Sequence, residues 1–175
     1  FPKAHAVAYV LMAYRIAYCK VHHPKHFYAS YFTVRATDFD YTHVSKGSHY
    51  IKNFIKSVYQ QGFRASVLDK SIATYLELAN EMIERGYEFE KVDLYKSHPT
   101  KFLITEKGLR PPLASLAGVG NNAALSIAEA RDLNNPFISR EDLRQRAGIG
   151  KAVIERLADV GVLDDLPESN QIDLF

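Results

Sequence analysis

The stretch Leu113-Ala-Ser-Leu-Ala-Gly118-Val-Gly120-Asn-Asn-Ala-Ala-Leu-Ser-Ile-Ala-Glu-Ala-Arg131 decides the fold. It is apolar at helical spacing and broken once, at Gly-Val-Gly. The pattern predicts a helix-hairpin-helix: an apolar helix, a glycine turn, and a second helix ending on an arginine. The two glycines permit a tight turn with positive φ and leave no Cβ in the way of an approaching phosphate. Val119 between them is expected to tuck into a small core. The turn and the next helix N-terminus then aim several backbone N–H groups at one anion. Such contacts hold a DNA backbone without reading its sequence. Thirty residues on, Leu143-Arg-Gln-Arg-Ala-Gly148-Ile-Gly150-Lys-Ala-Val-Ile-Glu-Arg-Leu157 repeats the arrangement. Residues 132–140 link the copies, with Ser139 a candidate helix cap before Glu141 and Asp142. One Gly-x-Gly is weak, because many helix corners need glycine. Two in tandem are more specific, and the competing reading is a pair kept only for packing. The candidate phosphate contacts are Gly118, Val119, Gly120, Asn121 and Asn122, then Gly148, Gly150 and Lys151.

Upstream, residues 3–22 read as one helix, with Val7, Val10, Leu11, Tyr14, Tyr18 and Val21 at spacings of three and four. Pro2 suits a helix start and Pro24 stops the helix. Residues 25–35 predict a short buried helix, and residues 46–61 and 65–86 two amphipathic ones, the second capped at Gly86. The period changes over 87–110. Tyr87 to Tyr95 alternates, Lys101-Phe-Leu-Ile-Thr105 follows, and Glu106-Lys-Gly108 is a turn signal. These predict a small antiparallel sheet of two or three strands. Pro111-Pro112 reads as a linker, residues 113–163 return to helix, and residues 164–175 lack periodicity. The expected fold class is mainly α with a small antiparallel β insert, followed by a tandem helix-hairpin-helix module.

The chain has 175 residues and a net charge of +2 that hides an asymmetry. Residues 1–37 carry +5 with no Asp or Glu, residues 38–112 carry +1, residues 113–163 carry zero, and residues 164–175 carry −4. A basic, aromatic-rich start suits a polyanion; the simpler reading is a buried aromatic helix with solvated bases. The acidic tail reads as exposed, or as a peptide for another protein. The single cysteine, Cys19, excludes a disulfide framework and a Cys-rich zinc site and suits a reducing cytoplasm. No apolar run is long enough to span a membrane, and no membrane partner is expected. The chain opens on Phe-Pro-Lys without Met, as a piece of a longer protein would.

Three features converge: the opening Phe1-Pro-Lys-Ala-His5-Ala-Val-Ala-Tyr9-Val, the tandem hairpin, and the ending Gln171-Ile-Asp-Leu174-Phe175. Together they closely resemble the C-terminal part of the PolC-type bacterial DNA polymerase III alpha subunits. Tyr31 to Asp40 and Glu84-Arg-Gly-Tyr-Glu-Phe89 look like the same family. The resemblance implies a segment of a replicative DNA-directed DNA polymerase, in three parts. Residues 1–111 would be the end of the fingers with its β insert, 112–165 a duplex-DNA-binding module, and 166–175 a clamp-binding tail. It implies that Lys3, His5 and Tyr9 approach the incoming dNTP, Tyr9 on sugar or base and His5 near the phosphates. His5 and Tyr9 are four apart and share a helix face. Read without the family, Tyr9 is core and His5 merely exposed. The Gln171-x-x-Leu174-Phe175 tail looks like the peptide with which bacterial proteins bind the sliding clamp. Gln171 would supply the hydrogen-bonding head, Leu174 and Phe175 the apolar anchors, and Pro167 would help keep the tail extended. A Leu-Phe end that packs on its own domain is the alternative. Further implied partners are the remaining polymerase domains.

No catalytic or metal site is assigned to this chain; divalent magnesium is implied only for the parent polymerase. Asp38-Phe-Asp40 mimics a two-metal carboxylate pair, but polymerase chemistry needs a further carboxylate on a neighbouring strand. His22-His-Pro-Lys-His26 mimics a zinc cluster, but Pro24 breaks the helix and no carboxylate stands close by. The chain alone is expected to be inactive. Two rivals are a free-standing hairpin DNA-binding module, which leaves His5 and Tyr9 unexplained, and a repair nuclease subunit, which needs clustered carboxylates.

Overall fold

A computed structural model describes residues 2–169. Eight α-helices and three short strands follow in the order α1 Lys3–His22, α2 Pro24–Val34, α3 Tyr41–Ser45, α4 Ser48–Gln61, α5 Val67–Glu84, β1 Glu88–Phe89, β2 Leu103–Ile104, β3 Gly108–Arg110, α6 Asn121–Ala130, α7 Arg140–Ala147 and α8 Lys151–Asp159. The mainly helical class is as the periodicity predicts.

The centre is α5. Ser66 caps it, its Oγ accepting the Asp69 N–H at 3.0 Å. Ile72, Ala73, Tyr75, Leu76, Ala79 and Met82 form the buried stripe. The helix stops where Gly86 predicts: the Gly86 and Tyr87 N–H groups return to the Ile83 and Met82 carbonyls. Phe32, Phe39, Phe89 and Phe102 pack edge-on or tilted within 6.4 Å of one another, so α2 and the β insert share one aromatic cluster.

The sheet differs from its prediction. Its order is β1-β3-β2, with β2 antiparallel to β3 but β1 parallel to it. The alternation across 87–95 yields only a two-residue strand. Val92 and Leu94 are buried, yet Asp93 turns the chain, its Oδ1 accepting the Tyr95 and Lys96 N–H groups. The chain then crosses back, which a parallel neighbour requires.

Pro111 and Pro112, read as a linker, are buried. The Leu113 and Ala114 N–H groups bond to the carbonyls of His98 and Pro99. One hydrophobic core runs unbroken from Tyr28 to Leu163.

Helix α1 overturns the simpler reading of a buried aromatic helix. It has no buried residue, and Val10 and Tyr14 are 67% and 71% exposed. It projects roughly 30 Å and is held at its C-terminal end. Lys20 Nζ donates to Glu81 Oε2 at 2.6 Å, the Tyr28 hydroxyl donates to Glu81 Oε1, and Arg85 donates to the Lys20 carbonyl. Burial pushes the Glu81 carboxyl up; hydrogen bonds from Lys20 and Tyr28, with the charges of Lys20 and Arg85, outweigh it and hold the group below the usual carboxylate range. Burial, then Glu81, raises the Tyr28 hydroxyl to about 12.

Candidate nucleic-acid interface

The first hairpin begins differently from its prediction. In place of an apolar α-helix there is one 3-10 turn, Leu113–Ser115, tightened by the Ser115 hydroxyl donating to the Pro112 carbonyl at 2.6 Å. Leu116, extended at φ −89°, ψ 126°, ends it after one turn. The chain then turns at Gly118, whose φ of 85° lies in the region that excludes most side chains. Val119 is buried, as expected, and its N–H bonds to the Leu116 carbonyl. Gly120 is extended at φ −69°, ψ 162°, and is the N-cap of α6.

The second hairpin repeats this turn. Gly148 has φ 62°, Ile149 is buried, and Gly150 is extended and caps α8. Only the first glycine of each pair therefore uses a positive φ, where the sequence allowed both. Neither α6 nor α8 has a side-chain cap, whereas Ser139 caps α7, its Oγ accepting the Asp142 N–H at 3.0 Å. The N–H groups of Asn121, Asn122 and Ala123 in α6 and of Lys151 and Ala152 in α8 precede the first intrahelical bonds and carry the positive end of the helix dipole, while the Val153 N–H already bonds to the Gly150 carbonyl. Gly118, Gly120, Asn121, Asn122, Gly148, Gly150 and Lys151 are all exposed; Val119 alone of the predicted contacts is inside. A Cβ at Gly120 or Gly150 would meet nothing within 4 Å. The space beside Gly120, Gly148 and Gly150 is open.

The bases of the module divide into two sets. Arg131 donates to the carbonyls of Ser97 at 2.7 Å and Tyr95 at 3.3 Å, and burial lowers its pKa. Arg140 donates to the Leu163 and Leu166 carbonyls, and Arg146 to those of Ala130 and Asn135. These three guanidiniums tie loops together. Arg144, Lys151 and Arg156 face solvent. Lys151 pairs loosely with Glu155 and Arg156 with Asp159, each at 3.6 Å. Sequence reasoning missed Arg156. The signal was the lack of any Lys or Arg over residues 111–130.

Lys3, His5 and Tyr9 lie on exposed α1. The His5 and Tyr9 rings meet edge-on at 4.5 Å between centroids, as their spacing predicts. Tyr9 is not core within the described residues. Gln171, Leu174 and Phe175 lie outside the described residues. Just before them, the Pro167 and Glu168 carbonyls accept the N–H groups of Arg140 and Glu141, so the chain stays bonded to the start of α7 past residue 165. Asp40 is spent capping α3 and Asp38 accepts from the Ser71 hydroxyl. Among the described residues there is no group of three or more His, Cys, Asp or Glu that could hold a metal ion. No helix among them is long and apolar enough to cross a membrane.

Residues 86–172 match the profile of the helix-hairpin-helix motif. Over all 175 residues the chain is 56% identical to the PolC-type DNA polymerase III of Halalkalibacterium halodurans, covering 12% of that protein. The identity is 55% to that of Bacillus cereus and 51% to that of Bacillus subtilis, over the same shares. The chain belongs to the PolC-type DNA polymerase III family. It spans about an eighth of the length of these relatives.

Proposed function

We propose that this chain is the C-terminal segment of a replicative DNA-directed DNA polymerase and that its tandem hairpin grips duplex DNA by the backbone. The observation that carries this is the pair of glycine turns, each opening onto an exposed helix N-terminus with no side-chain cap. Backbone N–H groups there hold a phosphate without reading bases, which a polymerase moving along any sequence needs.

The exposed helix α1 faces the incoming dNTP through Lys3, His5 and Tyr9. Its uncovered Val10, Leu11 and Tyr14 pack against the remaining polymerase domains, consistent with a helix that is apolar all round. The tail tethers the enzyme to the sliding clamp through Gln171, Leu174 and Phe175. The parent enzyme works in the cytoplasm with magnesium bound elsewhere, and this chain alone does not polymerise.

Fluorescence anisotropy of a labelled duplex with the full chain tests the grip. Binding is expected to be weak, indifferent to sequence and steeply reduced by salt. Gly120→Val adds bulk to open space at an ordinary φ, so it keeps the fold and weakens binding. Equal affinity in a folded Gly120→Val variant rejects the hairpin grip. For the tail, Leu174→Ala with Phe175→Ala is expected to abolish a micromolar-class interaction with purified clamp while duplex binding stays unchanged.

A further inference from the structure

The first hairpin has a phosphate-shaped turn but no charge of its own. Residues 111–130 contain no Lys or Arg. Arg131, which closes the pattern, is turned inward onto the Ser97 and Tyr95 carbonyls. A cation reaches the turn from the other hairpin instead. A Cβ at Gly118 would stand 3.1 Å from Arg156 Cγ, 3.5 Å from Nε and 3.7 Å from Cδ. The stem of Arg156 therefore lies across the bare backbone of Gly118, in the slot left by the missing side chain. The matching position, Gly148, has nothing within 4 Å. Beyond the slot the Arg156 side chain stays 60% exposed, and Asp159, itself 65% exposed, stands 3.6 Å away. A surface pair of that length is weak and readily exchanged.

We propose that Arg156 is the cation of the first hairpin's phosphate site, exchanging Asp159 for a DNA phosphodiester held at the Gly118–Gly120 turn. The inference rests on the hairpin reading above and adds the residue that completes the site. The turn supplies backbone N–H dipoles; the guanidinium supplies a full charge and a planar fork matched to two phosphate oxygens. The second hairpin has Lys151 at the start of α8, and Arg156 follows roughly 7.5 Å further along the same helix. One helix thus charges both turns and fixes their spacing. Gly118 acquires a second duty, to let the arginine pass.

The test is anisotropy of two unrelated labelled duplexes with the full chain across a salt series, with melting curves to confirm folding. Arg156→Gln is expected to weaken both duplexes alike, by about five- to tenfold at low salt, and to shrink the slope of log K against log salt by about 0.9. Arg156→Lys keeps the charge but loses the fork, so the slope recovers and the affinity only partly. Asp159→Asn frees the arginine and tightens binding about twofold. Full affinity and slope in Arg156→Gln, while Gly120→Val loses binding, overturns the role of Arg156 and leaves the hairpin grip standing. Full affinity in both, or no duplex binding at low salt, overturns both. Should Arg156→Gln fail to fold, Asp159→Asn decides: affinity no tighter than the parent chain's overturns the exchange.

Discussion

The two hairpins use the same turn and are supported in different ways. Both bend at a glycine of positive φ, bury the next residue and open a helix at an extended glycine. The second is closed mostly by its own helices, although Arg146 reaches back to the Ala130 carbonyl. Its leading helix α7 is capped by Ser139 and closed by the Gly148 and Ile149 N–H groups returning to Gln145 and Arg144, and its exposed lysine is its own. The first is dependent. It is led by a single 3-10 turn, anchored by the carbonyls of His98 and Pro99 in the β insert, and charged by an arginine from α8. A short motif can thus keep one backbone geometry while drawing its stability from its own helix in one copy and from its neighbours in the other.

The largest effects should come from the residue each turn buries. Ile149→Ala is expected to cost about 2–4 kcal/mol by urea unfolding, and Val119→Ala less, with one methylene fewer to lose. Equal costs would mean that the first turn leans on its core as heavily as the second. The glycines come next and should separate in the opposite order. Gly148→Ala has room and pays only for its φ, about 1–2 kcal/mol. Gly118→Ala pays for its φ and must also displace the Arg156 stem, about 1 kcal/mol more. A Gly118→Ala variant no less stable than Gly148→Ala would break the claim that the arginine fills that slot.

The smallest effect is a pH dependence at the first hairpin's anchor, beside which the half-buried His43 of α3, its pKa likewise lowered by burial, contributes in the same direction. His98 Nδ1 accepts the Thr100 and Lys101 N–H groups, and its carbonyl accepts that of Leu113. Burial, then the charges of Lys101 and Arg131, pushes its pKa down. The folded state therefore favours neutral His98, while the unfolded chain takes up a proton near pH ~6.5. The stabilisation is present above that pH and is lost as the pH falls towards the lowered folded value. Urea midpoints should fall on acidification from about pH 7 to about pH 5. His98→Asn, which keeps the local acceptor without titrating there, should lessen the fall and leave the share that His43 contributes. An unchanged slope in that variant would remove His98 from the account.

Much of the fold was legible residue by residue. The helix of residues 3–22, the Gly86 stop, the Ser139 cap and both turns followed from spacing and φ preference, which act within a few residues. The helix-facing pair His5 and Tyr9 was legible for the same reason. The parallel pairing of β1, the buried Pro111-Pro112 and the 3-10 entry to the first hairpin were not. Each depends on what the chain meets after crossing back from the insert, and alternation over 87–95 carries no information about that partner.

By itself, the sequence determined where the backbone can turn and which helix ends lack a capping side chain, because glycine and serine act through their own and adjacent peptide groups. Only the tertiary structure decided which arginines face solvent. Arg131, Arg140 and Arg146 look as available as Arg156 along the chain, yet the first three are spent on carbonyls brought to them by distant segments. Arg156 reaches the Gly118 turn because α8 packs beside it, and that proximity spans 38 residues of sequence.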